Sequence, residues 1–113
     1  MDAFLADAAK SPIVKTKVYD TEELNSYLRA GRNFFLHGQR KLALTVARVE
    51  VLPEYQRKGI CNSYFQWLEA AARIHGYDVI VVESVFNLNL RDSLLRKFYH
   101  IHPVDGSSLF KLL

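Results

Sequence analysis

One cysteine, Cys61, stands in the 113 residues, which excludes an internal disulfide and any metal cage built from cysteines. Long apolar runs are missing too, and no stretch approaches the ~20 residues of a membrane-spanning helix. The opening MDAFLADAAK is too short and too acidic for a secretory leader, so the chain reads as soluble and cytoplasmic. Blocks of like charge are absent as well: 15 Lys and Arg against 12 Asp and Glu leave a formal net charge of +3, spread along the chain. So mild an excess suits an anionic small ligand as well as nucleic acid and selects neither. Repeats, low-complexity tracts and linkers do not occur.

What is present is apolar. Half of the residues are hydrophobic, enough for one core, and 1–113 reads as a single domain. Asp2 to Lys10 is expected to form a short helix that Ser11-Pro12 ends. Ile13 to Tyr19 alternates like a half-buried strand. DTEELNSYLRAG offers Asp20 or Thr21 as N-cap, Leu24, Tyr27 and Leu28 as an apolar face and Gly31 as a stop, and so predicts a helix. NFFLHGQRKLALTVARVEVL predicts two strands joined by a turn at His37 to Arg40. In the second, Leu42, Leu44 and Val46 share one face while Val49 and Val51 lie on the other. That phase change signals a bulge, or a sheet buried on both sides.

The segment after Gly59 carries a wide apolar stripe from Tyr64 to Ile74, including Trp67 and Leu68, and Gly76 closes it. Asn62 or Ser63 can cap this helix, unless it begins slightly earlier. YDVIVVESV has the near-continuous β-branched pattern of a central strand covered on both faces. Asn87 to about Phe98 reads as a helix with Leu90 and Leu94 inward. FYHIHPVDGSSLFKLL reads as a strand, a turn at Asp105-Gly106 and a closing strand. The sum is an α/β or α+β fold with a mixed central sheet flanked by helices.

Between the strand ending at Leu52-Pro53 and the helix lies QRKGIC. A helix start leaves N–H groups without internal partners and carries the positive end of the peptide dipoles. Gly59 removes the Cβ that would keep a ligand from the backbone, and Arg57 and Lys58 add charge. Such a turn suits a pyrophosphate, although most Gly-bearing basic turns before helices are only turns.

The wider stretch VLPEYQRKGICNSYFQWL resembles the central motif of the GNAT acyltransferases, Val-x-Pro-x-Tyr-(Arg/Gln)-x-x-Gly-x-(Gly/Ala). Val51, Pro53, Tyr55, Gln56 and Gly59 are in register, and Cys61 replaces the last small residue. VESVFNLNLRDSLLRKFY is similar to a variant ending of the same family, with Val82, Glu83, Ser84, Val85, Asn87, Leu90, Leu94 and Tyr99 in place and Phe98 where a glycine is usual. Together the two stretches cover about the second half of the chain. The first half is short for the family, and the resemblance suggests a bacterial or phage source.

The resemblance implies acetyl-CoA as cofactor, in a short GNAT-like fold. The backbone of Arg57, Lys58, Gly59, Ile60 and Cys61, in the motif with Gln56, would hold its pyrophosphate, with Asn62 and Ser63 nearby. Val49 and Val51 would lie beside the pantetheine arm, and Asn87 near its amide. The implied reaction is direct transfer of an acetyl group to an amine-bearing acceptor. Glu50 and Glu83, near the ends of the central strands, are the candidate bases, each weighed against an ordinary strand glutamate facing solvent. Tyr99 is the nearest tyrosine for protonating the thiolate, weighed against a core aromatic.

A nucleophilic Cys61 lacks an adjacent histidine, and small-residue packing is the better reading. His100 and His102 would share a strand face, but without further ligands they read as surface residues. The competing function is a GNAT-like binding module without catalysis, acting through protein contacts. Nucleic-acid binding through Arg57, Lys58, Arg91, Arg96 and Lys97 ranks last, because no recognition motif accompanies the charge. A homodimer by exchange of the apolar SSLFKLL strand is permitted by the sequence and not indicated by it.

Overall fold

Two long strands organise the sheet, and one of them comes from the segment expected to be a helix. The computed structural model describes residues 1–113. The elements run α1 (Asp2–Lys10), β1 (Lys15–Asp20), β2 (Leu24–Leu36), β3 (Gln39–Val51), α2 (Ile60–Ile74), β4 (Val79–Val82), α3 (Leu88–Arg96), β5 (His100–Ile101) and β6 (Leu109–Leu112). They form one six-stranded mixed sheet in the order β1-β2-β3-β4-β6-β5. Only β3 and β4 run parallel, joined by the α2 crossover.

The helix expected over Asp20 to Gly31 is therefore corrected to a turn and the first half of β2. Leu24, Ser26, Leu28 and Ala30 alternate as buried positions, a period of two in which serine and alanine take inward places. Thr21 does act locally, but as a turn residue: its hydroxyl accepts the N–H groups of Glu23 and Leu24 at 3.1 Å each. Pairing with β1 on one side and β3 on the other then overrides helical propensity. Gly31 is no helix stop either. A Cβ there would lie 3.1 Å from the Val14 backbone, so the glycine permits a close chain crossing.

The hairpin between β2 and β3 turns at His37 and Gly38, both with positive φ, as a two-residue turn matching the strand twist demands. Further along, Leu28 pairs with Val46 but Tyr27 pairs with Arg48, so Ala47 is left over. This bulge is the source of the phase change between Val46 and Val49.

Leu5 and Ala8 of α1, Leu68 and Ala72 of α2 and Leu94 of α3 all join one core cluster with Leu28, Leu44, Val46, Ile80 and Val82 of the sheet. Each fully buried leucine there contributes ~1.5–3 kcal/mol. The opposite face holds a smaller cluster of strand residues only: Phe34, Ala43, Val79 and Val81, edged by Leu36 and Phe110. Strand β4 is thus covered on both faces, as expected, but its second cover is aromatic side chains of neighbouring strands and not a helix. Helix α2 begins at Ile60 with Gly59 as N-cap, before Asn62 and Ser63, and its Trp67 and Ile74 stay exposed.

Both longer connections after helices use the same device. At the end of α2, Tyr77 N–H donates to Ala72 C=O at 2.9 Å with Gly76 in the left-handed region. At the end of α3, Tyr99 N–H donates to Leu94 C=O at 3.1 Å, and the left-handed residue is Phe98, at φ 70°. Left-handed backbone costs a residue with a Cβ ~1–2 kcal/mol, and the Phe98 side chain is 76% exposed, so little packing offsets it. Glycine gains unfolded-state entropy that returns part of this, ~0.4–1 kcal/mol. Phe98→Gly is expected to raise stability by roughly 0.5–1 kcal/mol in urea unfolding; a lower midpoint would contradict the strain.

Candidate active site

β3 outlasts β4. Their pairing covers only Ala43 to Val46 against Val79 to Val82, and the last bond is from Glu83 N–H to Val46 C=O at 3.0 Å. Beyond it β3 continues to Val51, while the other limb turns through Ser84, at φ 53°, and is tied down by Val85 N–H on Ser107 C=O at 2.6 Å. A cleft of about 270 Å³ opens between the limbs, lined by Val46 to Val49, Val82 to Asn87 and Leu90.

The backbone edge of β3 in this cleft follows from strand alternation. Leu52 N–H donates to Glu23 C=O at 2.9 Å, so the even-numbered positions Glu50 and Arg48 also face β2. The main-chain groups of Val49 and Val51 then face the open side. Gln56 takes one of them, its Nε2 donating to Val51 C=O at 3.0 Å, which braces the turn against the strand end. The Val51 N–H remains.

At the start of α2, Arg57 and Gly59 both have positive φ, and the N–H groups from Arg57 to Asn62 find no acceptor within the chain; Ser63 N–H is the first to close, on Gly59 C=O at 3.0 Å. A Cβ at Gly59 would meet no atom within 4 Å. The turn is held from outside the row, with Lys58 over the Tyr55 ring and the Tyr55 hydroxyl on Glu22 at 2.9 Å. That leaves a concave row of donors at the positive end of a 15-residue helix.

The structure brings Val49, Glu83 and Asn87 together in the cleft, with Arg57 to Ser63 at the turn. Asn87 has a structural task as well: its Oδ1 accepts Leu90 N–H at 3.1 Å and caps α3, leaving the amide NH₂ as its remaining donor. Glu83 is half-buried and ion-paired with Arg29. Glu50 is exposed, opposite Asn25 on the same sheet face as Arg29, but it does not line the cleft. Tyr99 lies apart, in the core. Its hydroxyl donates to Glu69 Oε2 at 3.1 Å, and burial, with the Glu69 carboxylate, holds it well above the ordinary phenol range. Arg29 is the residue that sequence reading missed, because it sat in a segment read as helix. Period-two burial from Leu24 to Ala30 was the signal that would have placed it.

Cys61 is partly buried in the first turn of α2, and burial pushes its thiol up, with the Lys97 charge opposing. His75 contacts Asp2 at 3.0 Å, and His102 Nδ1 accepts two backbone N–H groups, so neither joins a metal set. No three His, Cys, Asp or Glu side chains converge.

Neither a protein-family model nor a curated protein sequence matches the chain. Solved structures do. A mutant of the toxin AtaT, bound to the C-terminus of the antitoxin AtaR and acetyl-CoA, superposes with TM-score 0.59 at 14% identity, over 80% of this chain and 58% of that one. A KacTA–DNA complex gives 0.52 at 17%, over 82% and 70%. A mutant of the BH1408 protein from Bacillus halodurans gives 0.53 at 17%, over 80% and 60%. The chain has a GNAT-like fold. At such identities the likeness is one of fold, and this chain spans only 58% to 70% of those three.

With its pKa raised, the Cys61 thiol holds less thiolate at any given pH than a free cysteine. Iodoacetamide at pH 8 is expected to label it more slowly than it labels free cysteine. Labelling faster than free cysteine would restore the reactive-thiol reading.

Proposed function

We propose that the chain binds acetyl-CoA along the α2 turn and the β3–β4 cleft and transfers the acetyl group to an amine. The observation that carries this reading is the row of unpartnered N–H groups from Arg57 to Asn62 around Gly59, which follows the strand whose unpaired edge walls the cleft. Acetyl-CoA in the AtaT complex, a protein of the same fold, supports the choice of ligand.

In this reading the turn donors and the charges of Arg57 and Lys58 take the pyrophosphate, each charge-assisted hydrogen bond contributing ~1.5–3 kcal/mol. The free main-chain groups of Val49 and Val51 hold the pantetheine arm as an added strand would be held, and Asn87 supplies its NH₂. Bound acetyl-CoA supplies a thioester. The acceptor ammonium gives a proton to Glu83, directly or through water, and its nitrogen bonds the acetyl carbon. The C–S bond would break with its electron pair left on sulfur, and the second proton of the nitrogen would pass through water to that thiolate. Arg29 keeps Glu83 oriented at the cleft. Tyr99 takes no part, being tied to Glu69 away from the cleft, and Glu50 is the reserve base.

A binding module without catalysis is the second reading. It is favoured by the absence of a phenol among the residues that line the cleft.

Calorimetric titration with acetyl-CoA, and with adenosine as control, tests the proposal. Gly59→Asp should weaken binding ~100-fold, an unfavourable ~2.7 kcal/mol from placing a carboxylate at the donor row. The substitution clashes with no protein atom but puts a Cβ at φ +75°, which costs ~1–2 kcal/mol of stability, so Gly59→Asn, with the same strain and no charge, is the matched control. Unchanged affinity would reject the assignment. Glu83→Gln should leave acetyl-CoA affinity intact and lower turnover ~10²–10⁴-fold. Binding of acetyl-CoA with no transfer to any amine would establish the module instead.

A further inference from the structure

A second cavity, of about 140 Å³, lies against the sheet face that carries no helix residues, and Glu83 is the one residue that lines both it and the cleft. Phe34 and Val81 give it an apolar wall. No lysine or arginine lines it, while two carboxylates, Glu83 and Asp105, do. Arg29 pairs with Glu83, so Asp105 is the uncompensated charge.

The Asp105 carboxylate is held in place. Its Oδ1 accepts from Ser107 N–H at 3.1 Å and Ser107 Oγ at 2.6 Å, and its Oδ2 from Ser108 Oγ at 2.7 Å. Those bonds lower its pKa and keep it ionised. Thr45 gives an independent sign of a ligand: it lines the cavity, is 3% exposed, and its hydroxyl makes no hydrogen bond in the chain. That hydroxyl is open to the cavity and free to donate or accept a hydrogen bond there. His102 adds a donor. Its Nδ1 accepts N–H groups of Val104 at 3.1 Å and Asp105 at 2.9 Å, which puts the ring proton on Nε2.

We infer that this cavity is the acceptor site, and that it selects a compact alkylammonium, held by Asp105 and the Thr45 hydroxyl with its short stem on Phe34 and Val81. The inference rests on the acetyl-transfer reading, since Glu83 then stands where acceptor and thioester meet. At roughly 30 Å³ per water-sized group the cavity takes on the order of five such groups. Acceptors carrying a carboxylate beside the amine are repelled by Asp105, which makes Asp105 the specificity residue.

The test is an amide NMR titration of the full chain, free and loaded with CoA, using propylammonium chloride as probe. Propanol matches its shape without the charge, and sodium chloride matches its ionic strength. Saturable shifts at Phe34, Ser107 and Ser108 are expected with propylammonium only. Asp105→Asn should weaken that binding about tenfold, ~1.4 kcal/mol. Because Asp105 also holds its turn, Thr45→Val serves as a second variant, expected to weaken binding severalfold with the turn untouched. Equal response to propanol, or affinity unmoved by both variants, overturns the assignment. The readout needs no acetyl-CoA, so the two readings fail separately. Acetyl-CoA binding without a propylammonium response rejects the acceptor site alone. A propylammonium response without acetyl-CoA binding keeps an ammonium site and rejects the cofactor reading.

Discussion

The separation of β3 from β4 after Val46 and Val82 is the constraint on which the remainder of the site depends. Parallel strands normally stay paired until one ends, and here the shorter ends while the longer changes phase at Ala47. The bulge does two things at once. It turns Val49 and Val51 back toward the core, where they pack as partly buried residues, and it turns their main-chain groups toward the side β4 has left. An edge of unpaired backbone inside a molecule is costly unless a ligand or water completes it. The limbs are kept apart by bonds of their own: Gln56 donates to Val51, Val85 to Ser107 and Leu90 to Asn87. The opening is therefore built into the fold.

Two glutamates show how burial and partners divide structure from chemistry. Glu69 is buried on α2, and its two oxygens are met by Lys111 Nζ at 2.7 Å and the Tyr99 hydroxyl at 3.1 Å. It fastens β6 and the start of β5 to α2, and removing one partner of such a set costs ~3–5 kcal/mol. It lines neither cavity. Glu83 has a single partner, Arg29, and open space on both sides. A carboxylate at the junction of two cavities can exchange a proton with a ligand; one buried away from both cannot. The same comparison sets Tyr99 apart from the cleft, since its hydroxyl keeps its proton and donates a hydrogen bond to Glu69 in the core.

Much of this was legible in the sequence where the signal is local. The QRKG turn, the β-branched β4, the helix that follows Asn87 and the phase change in β3 each declare themselves within a few residues. β2 did not. Thr21 followed by Glu22 and Glu23 has the composition of a helix start, and Ser26 and Ala30 hide a period of two by putting small residues in buried positions. Only pairing with β1 and β3, the neighbours on either side in the chain, settles the segment as strand, and the propensities within the segment do not show it. With the first half of β2 misread, Arg29 could not be seen opposite Thr45. The α2 turn and the cleft lie on local motifs and are readable. The second cavity is assembled from β2, β3, β4 and the β5–β6 turn, and no single stretch encodes it.

The two departures from the family-like pattern, Cys61 and Phe98, bear differently on function. Cys61 sits inside the donor row, where a larger side chain would crowd the approach to the backbone; cysteine is small, and burial keeps its thiol protonated. The row is intact. Phe98 sits at the helix end where Gly76 stands in the matching motif of α2, and the hydrogen bond from Tyr99 to Leu94 forms all the same. Its cost falls on stability, because the ring points outward and the chain path into β5 is preserved. Neither substitution removes a donor from the turn or a residue from the cleft. The sequence departs from the pattern at positions where geometry survives, which is what a working cofactor site would tolerate.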